Sequence, residues 1–162
     1  MTTESTRRVD SASRLIRTTP HAIYQAFIDP GALIHWLPPG GMKATIDAFD
    51  PREGGAYRIT LTYDRPDHPA QGKTTDHADV TRGRFLRLVP DRMVVQSVQF
   101  ESDDSRFAGD MRLTWLLEPR DEGTMVTVTA EDVPPGISPE DHQAGFADTL
   151  ANLARFVEDG VR

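Results

Sequence analysis

The hydrophobic period changes twice along this chain, and those two changes constrain the fold more than any other feature. From Met42 the apolar residues recur every second position. Met42, Ala44 and Ile46 alternate with Lys43, Thr45 and Asp47, and Tyr57, Ile59, Leu61 and Tyr63 alternate with Arg58, Thr60, Thr62 and Asp64. The same alternation returns at Met111, Leu113, Trp115 and Leu117, and at Val126, Val128 and Ala130. Between them, Val80 to Leu88 and Arg92 to Phe100 read as two further strands parted by Pro90-Asp91, with Gly83 a candidate bulge. Strands with one apolar and one polar face build an antiparallel sheet that buries one side. After Ser138 the pattern becomes helical: Phe146, Leu150, Leu153 and Val157, with Ala147 and Ala154, form one stripe. Ser138 caps this helix, Pro139 opens it, Glu140 and Asp141 suit its dipole, and Asp159-Gly160 closes it. A helix of roughly 20 residues spans about 30 Å, enough to cross the sheet. Its apolar stripe must therefore cover the apolar side of the strands.

The segment before Met42 supplies the remaining elements. Ser11 to Arg17 reads as a first strand. Thr19-Pro20 opens a helix whose Ile23 and Phe27 lie one turn apart, and Asp29-Pro30-Gly31 breaks it. Ala32 to Trp36 makes a second short helix, ended by Pro38-Pro39-Gly40-Gly41. The expected architecture is an α+β helix-grip fold: six to seven antiparallel strands curved around a long C-terminal helix, with two short helices after the first strand. One domain is expected over 11–160, preceded by a polar, disordered stretch over 1–10.

Composition removes several function classes. The 162 residues carry a formal charge of −7, opposite to what nucleic acid or an acidic membrane would attract. There is no cysteine, which excludes disulfides, thiolate nucleophiles and cysteine-based metal sites. No apolar run approaches the roughly 20 residues that cross a bilayer. The start, Met1 to Arg8, lacks the apolar core of a secretion signal. A cytoplasmic location is expected.

Several motifs then resemble a known family. Phe27-Ile28-Asp29-Pro30, Leu33 with Trp36-Leu37, and Asp50-Pro51-Arg52-Glu53-Gly54-Gly55-Ala56-Tyr57-Arg58 occur in order. They are followed by Gly83-Arg84-Phe85, Val89-Pro90-Asp91-Arg92-Met93-Val94, Gly123-Thr124 and Gly145-Phe146 to Leu153. In this order they resemble the START-like (SRPBCC, Bet v-like) superfamily. Within it the chain is most similar to proteins related to the activator of the heat-shock ninety-kilodalton chaperone ATPase. The resemblance spans Ser11 to Glu158 and departs at Gly145-Phe146, where the family usually carries Gly-Trp. It implies a cavity under the long helix that relatives use for lipids, polyketides or other apolar molecules. Some relatives are cyclases or hydrolases, and one branch regulates a chaperone.

The candidate binding residues follow from the inward rows and the resemblance together: Trp36, Tyr57, Ile59, Leu61, Tyr63, Phe85, Gln96, Val98, Met111, Leu113, Trp115, Phe146 and Leu150. Packing alone would account for the apolar ones. The hydroxyls of Tyr57 and Tyr63 and the amide of Gln96 are less expected in a dry core, where unpaired polar groups are costly, and suit a pocket that orients a ligand. Gly145 inside a helix costs roughly 1 kcal/mol against alanine, and reads either as close packing or as room for a ligand. Trp36 to Met42 reads as a plug or as a gate. His77 and Asp79 would share one strand face, which allows an acid–base pair. No metal site can be drawn from His68, Asp76, His77 and Asp79, because Asp76 and His77 face opposite ways on any strand. Gly72-Lys73-Thr74 is no phosphate loop, since Asp67 stands where the leading glycine is needed. No nucleophile elbow is present.

Three functions are thus expected, in this order. The first is a carrier or sensor of a small apolar molecule, with a role in stress as one setting, with no cofactor and no catalysis. The second is a cyclase, dehydratase or hydrolase in which Tyr57, Tyr63, His77, Asp79 or Gln96 polarises an apolar substrate. The third is a chaperone-activator-like interaction module; homodimerisation stays open. Buried polar pairs in the cavity would favour the enzyme, and a large exposed apolar patch would favour the module.

Overall fold

The computed structural model describes residues 8–38, 41–63 and 78–158. Its elements follow the two periods. A strand β1 (Val9–Ile16) leads into helices α1 (Pro20–Ile28) and α2 (Pro30–Trp36). Strands β2 (Met42–Phe49), β3 (Ala56–Tyr63), β4 (Ala78–Val89), β5 (Met93–Phe100), β6 (Met111–Arg120) and β7 (Gly123–Glu131) come next, and α3 (Pro139–Glu158) ends the fold. Among the described residues the seven strands form one antiparallel sheet in the order β1-β7-β6-β5-β4-β3-β2, with β1 and β2 at its two ends. The sheet, the two short helices and the long C-terminal helix make the α+β helix-grip fold.

Three local expectations need correction. The first strand starts at Val9 rather than Ser11, because Val9 and Asp10 pair with Glu131 and Ala130 and the Asp10 carboxylate is held by Arg8. The second helix starts at Pro30 rather than Ala32. Asp29 Oδ1 accepts the Gly31 N–H at 2.9 Å, and Pro30 at the first helical position has no N–H to leave unpaired. The bulge in β4 lies between Phe85 and Arg87, not at Gly83. Gly83 stays opposite Tyr57, and a Cβ there would sit 1.8 Å from the Ser97 carbonyl oxygen. Close approach of two backbones explains that glycine.

The core sits between the sheet and the helices. Thr19 caps α1 by accepting the Ala22 N–H at 3.2 Å, which sends Ile23, Tyr24, Ala26 and Phe27 inward. The Phe27 ring packs 4.8 Å from Trp36 and 5.0 Å from Trp115. Ser138 Oγ caps α3 through the Asp141 N–H at 3.0 Å, and Phe146, Thr149, Leu150, Leu153 and Ala154 form its buried face. Ala147, expected on that stripe, is exposed, and Val157 is half-buried. The backbone of α3 runs close to β1, α1 and α2. It therefore rests on one side of the sheet and stands away from the middle strands. That offset makes the site.

Candidate functional site: a cavity between the sheet and the long helix

Where α3 stands off, a cavity of about 220 Å³ opens. Strand β3 contributes Tyr57, Ile59 and Leu61, β5 contributes Gln96 and Val98, and β6 contributes Met111, Leu113 and Trp115. The helix covers these with Phe146 and Thr149. Gly145 also borders the space, and nothing lies within 4 Å of where its Cβ would be. The glycine is thus a place where α3 leaves room, not one where it packs tightly. Leu37, Thr81 and Phe100 complete the wall.

The polar groups in this wall are held in place. The Tyr57 hydroxyl donates to the Ser97 carbonyl at 2.5 Å, and burial pushes it far above the ordinary phenol range. The proton of this hydroxyl is engaged in the sheet, so its donor is satisfied without a ligand. Gln96 differs. Its Oε1 accepts the Trp115 indole N–H at 3.1 Å; indole is a donor only, so the amide cannot be the other way round. The Gln96 NH₂ group has no partner among the described residues.

A second polar group was not anticipated. His142, in the first turn of α3, lines the cavity and stacks on Phe146 with ring centroids 4.2 Å apart. Its Nδ1 lies 2.6 Å from Asp10 Oδ2. Asp10 in turn takes Arg8 Nη2 at 2.7 Å and Arg8 Nε at 3.2 Å, and Arg8 Nη1 donates to the Ile137 carbonyl. The Arg8 guanidinium holds the Asp10 carboxyl below the usual carboxylate range; burial opposes this and His142 reinforces it. An ionised carboxylate only accepts, so the proton between them sits on His142 Nδ1. The side chains of His142 and Asp10 are 12% and 9% exposed, so this hydrogen-bonded pair faces inward.

Comparison with known proteins gives the family and the fold. The family model described as Activator of Hsp90 ATPase homolog 1-like protein matches residues 17–158. The chain belongs to that family. A solved protein from Chromobacterium violaceum is 31% identical, with a TM-score of 0.82 over 93% of this chain and 96% of that one. The AHSA1-like protein of Aeromonas hydrophila, 20% identical, has a TM-score of 0.71 over 94% and 93%. The AHSA1 protein of Silicibacter pomeroyi, 16% identical, has one of 0.76 over 93% and 98%. The last two likenesses show the fold. No curated protein matches the chain.

In this member of the Activator of Hsp90 ATPase homolog 1-like family, four expected binding residues lie off the cavity. Trp36 is fully buried, its Nε1 donating to the Ala26 carbonyl at 3.0 Å. Phe85 packs between Phe49 and Tyr57, at centroid distances of 5.6 and 5.5 Å. Leu150 is sealed in the core, 2% exposed, and Tyr63 is half-buried at the end of β3. Asp79 is buried on β4 opposite Leu61 and is not part of the wall. His77, its expected partner, and His68, Asp76 and Gly72-Lys73-Thr74 fall outside the described residues. The expected gate is anchored at one end, since Asn152 Nδ2 of α3 donates to the Pro38 carbonyl at 2.9 Å. Among the described residues, no three His, Asp or Glu side chains are grouped so as to hold a metal ion, and no helix is long and apolar enough to cross a membrane. His142 could have been found from sequence: it lies one turn before Phe146, on the buried stripe.

Proposed function

We propose that the protein binds a small apolar molecule in the cavity under α3 and works in the cytoplasm as a carrier or sensor. The observation that carries this reading is the 220 Å³ space with largely hydrocarbon walls and a few separately placed polar groups. At about 30 Å³ per water, that volume equals roughly seven waters, and it suits a ligand on the order of ten non-hydrogen atoms. A micromolar dissociation constant needs about 8 kcal/mol, which lies below the ceiling of about 1.5 kcal/mol per atom for such small ligands. Native mass spectrometry of freshly purified protein tests it. A co-purifying species of small mass, released on unfolding, supports the reading. Its absence, together with no stabilisation by any small apolar probe, speaks against it.

A second reading has its own observation. His142 in the cavity wall, hydrogen-bonded to Asp10 behind it, is what an acid–base enzyme of the cyclase, dehydratase or hydrolase kind would use. A bound species that is converted on incubation, in wild type but not in His142→Gln, would favour it. The partner-module reading has less support. The large apolar side chains exposed among the described residues, Val9, Ile34 and Leu86, lie on three separate elements, as scattered surface residues do.

A further inference from the structure

The amide of Gln96 narrows the ligand further, provided the binding reading above holds. Trp115 is buried, its ring 5.0 Å from that of Phe27 and 6.1 Å from that of Trp36, centroid to centroid. Those rings fix the direction of its indole N–H, which Gln96 Oε1 accepts at 3.1 Å. The amide is thereby locked, with its oxygen on Trp115 and its NH₂ turned away from the indole. Gln96 stands on β5 opposite Leu113, and both line the cavity. The NH₂ has no partner among the described residues, and a donor left unmatched in an apolar wall is costly. Thr81 and Thr149 also line the space, but a hydroxyl can give or take a hydrogen bond and so selects neither kind of partner. Gln96 does select one: an acceptor.

The charges around the wall argue that this acceptor is uncharged. Among the described residues that line the cavity there is no lysine or arginine. Where His142 joins the wall, Arg8 meets Asp10 at 2.7 Å and has Glu140 within electrostatic reach. One guanidinium against two carboxylates leaves no positive excess, and a proton on His142 would only bring that group to zero. An anion in this space would be buried without a countercharge.

We infer that the ligand is an apolar molecule with an uncharged carbonyl group, whose oxygen takes a hydrogen bond from Gln96 Nε2 while its hydrocarbon part lies over Leu113, Met111 and Val98. A carbonyl brings two lone pairs and no proton, so it satisfies the amide without adding a donor that the wall must match.

Acetophenone and α-methylstyrene test this, because they have the same number of non-hydrogen atoms and differ only in a C=O against a C=CH₂. Calorimetry on the full chain gives the ratio of their dissociation constants in wild type and in Gln96→Met. The substitution should shift that ratio about fivefold against acetophenone. Both probes are measured on each protein, so a change in packing cancels. In wild type alone, NMR of nitrogen-labelled protein should show a Gln96 side-chain NH₂ proton moving downfield with acetophenone and not with α-methylstyrene. The two phenyl rings shift it alike, so the difference isolates the carbonyl. A Gln96 proton that responds equally to both probes, or a ratio unchanged in folded Gln96→Met, overturns the inference and leaves apolar binding standing. Failure of both probes to bind wild type overturns the binding reading and this inference together. The wild-type spectra decide the matter even if Gln96→Met does not fold.

Discussion

Gly145 separates an empty space from a packed one more cleanly than any other position. Replacing it by alanine adds a methyl where nothing lies within 4 Å, so no clash offsets the gain in helix propensity. That gain is about 0.8–1 kcal/mol in a helix interior, and for a domain of this size it raises Tm by about 2–4 °C. Gly145→Leu goes further and places an isobutyl group in the 220 Å³ cavity. If the space is real, leucine is accommodated, stability stays at or above that of wild type, and octanamide binding falls by at least about tenfold. Thermal melts and calorimetry on both variants measure the two effects separately. Overpacking into a filled core costs about 1–3 kcal/mol. If Gly145→Leu loses that much stability, there is no cavity beside Phe146 and the reasoning fails.

Two other expectations concern the walls and the charges. Tyr57→Phe should cost about 1–2 kcal/mol, since the Ser97 carbonyl loses its donor, and should leave ligand affinity unchanged. Gly83→Ala should cost more, about 3 kcal/mol, because its methyl meets the Ser97 carbonyl oxygen; urea melts that rank these two in the opposite order would refute the packing described. Asp10 and Glu101 have lowered pKa values in the folded chain, chiefly through the hydrogen bonds from Arg8 and Arg58. A depressed folded pKa means that their stabilisation is fully present above about pH 4 and is lost as pH falls through the lower folded values. Urea melts between about pH 6 and pH 3 should show a shallower acid loss in Asp10→Asn than in wild type, and an unchanged slope would show that this pair does not contribute.

The fold was legible because its signals are local. Alternation marked β2, β3, β6 and β7, and Thr19-Pro20 and Ser138-Pro139 marked the starts of α1 and α3 within a residue. The site was legible only as a face. Alternation puts Tyr57, Ile59, Leu61, Phe85 and Trp115 on the inner side of the sheet, but cannot say which of them border space. That depends on where α3 stands off, a result of how the helix packs on β1, α1 and α2. Phe85 therefore fills a gap between aromatic rings while Leu61 borders the cavity. The Asp10–His142 pair joins residues 132 apart in sequence, and Asp10 lies in a polar stretch that has no periodicity. Its role depends on the strand pairing that brings Val9 and Asp10 beside β7.

The central claim is that a small apolar molecule enters the space between the sheet and α3. Methyl-resolved NMR of labelled protein titrated with octanamide tests it most directly. Saturable shifts should gather on Ile59, Leu61, Val98, Met111 and Leu113, whose methyls face the cavity, and should be absent from the exposed Ile34 and Leu86. Shifts that do not saturate, or that centre on Ile34 and Leu86 and leave Met111 and Leu113 unmoved, would contradict it.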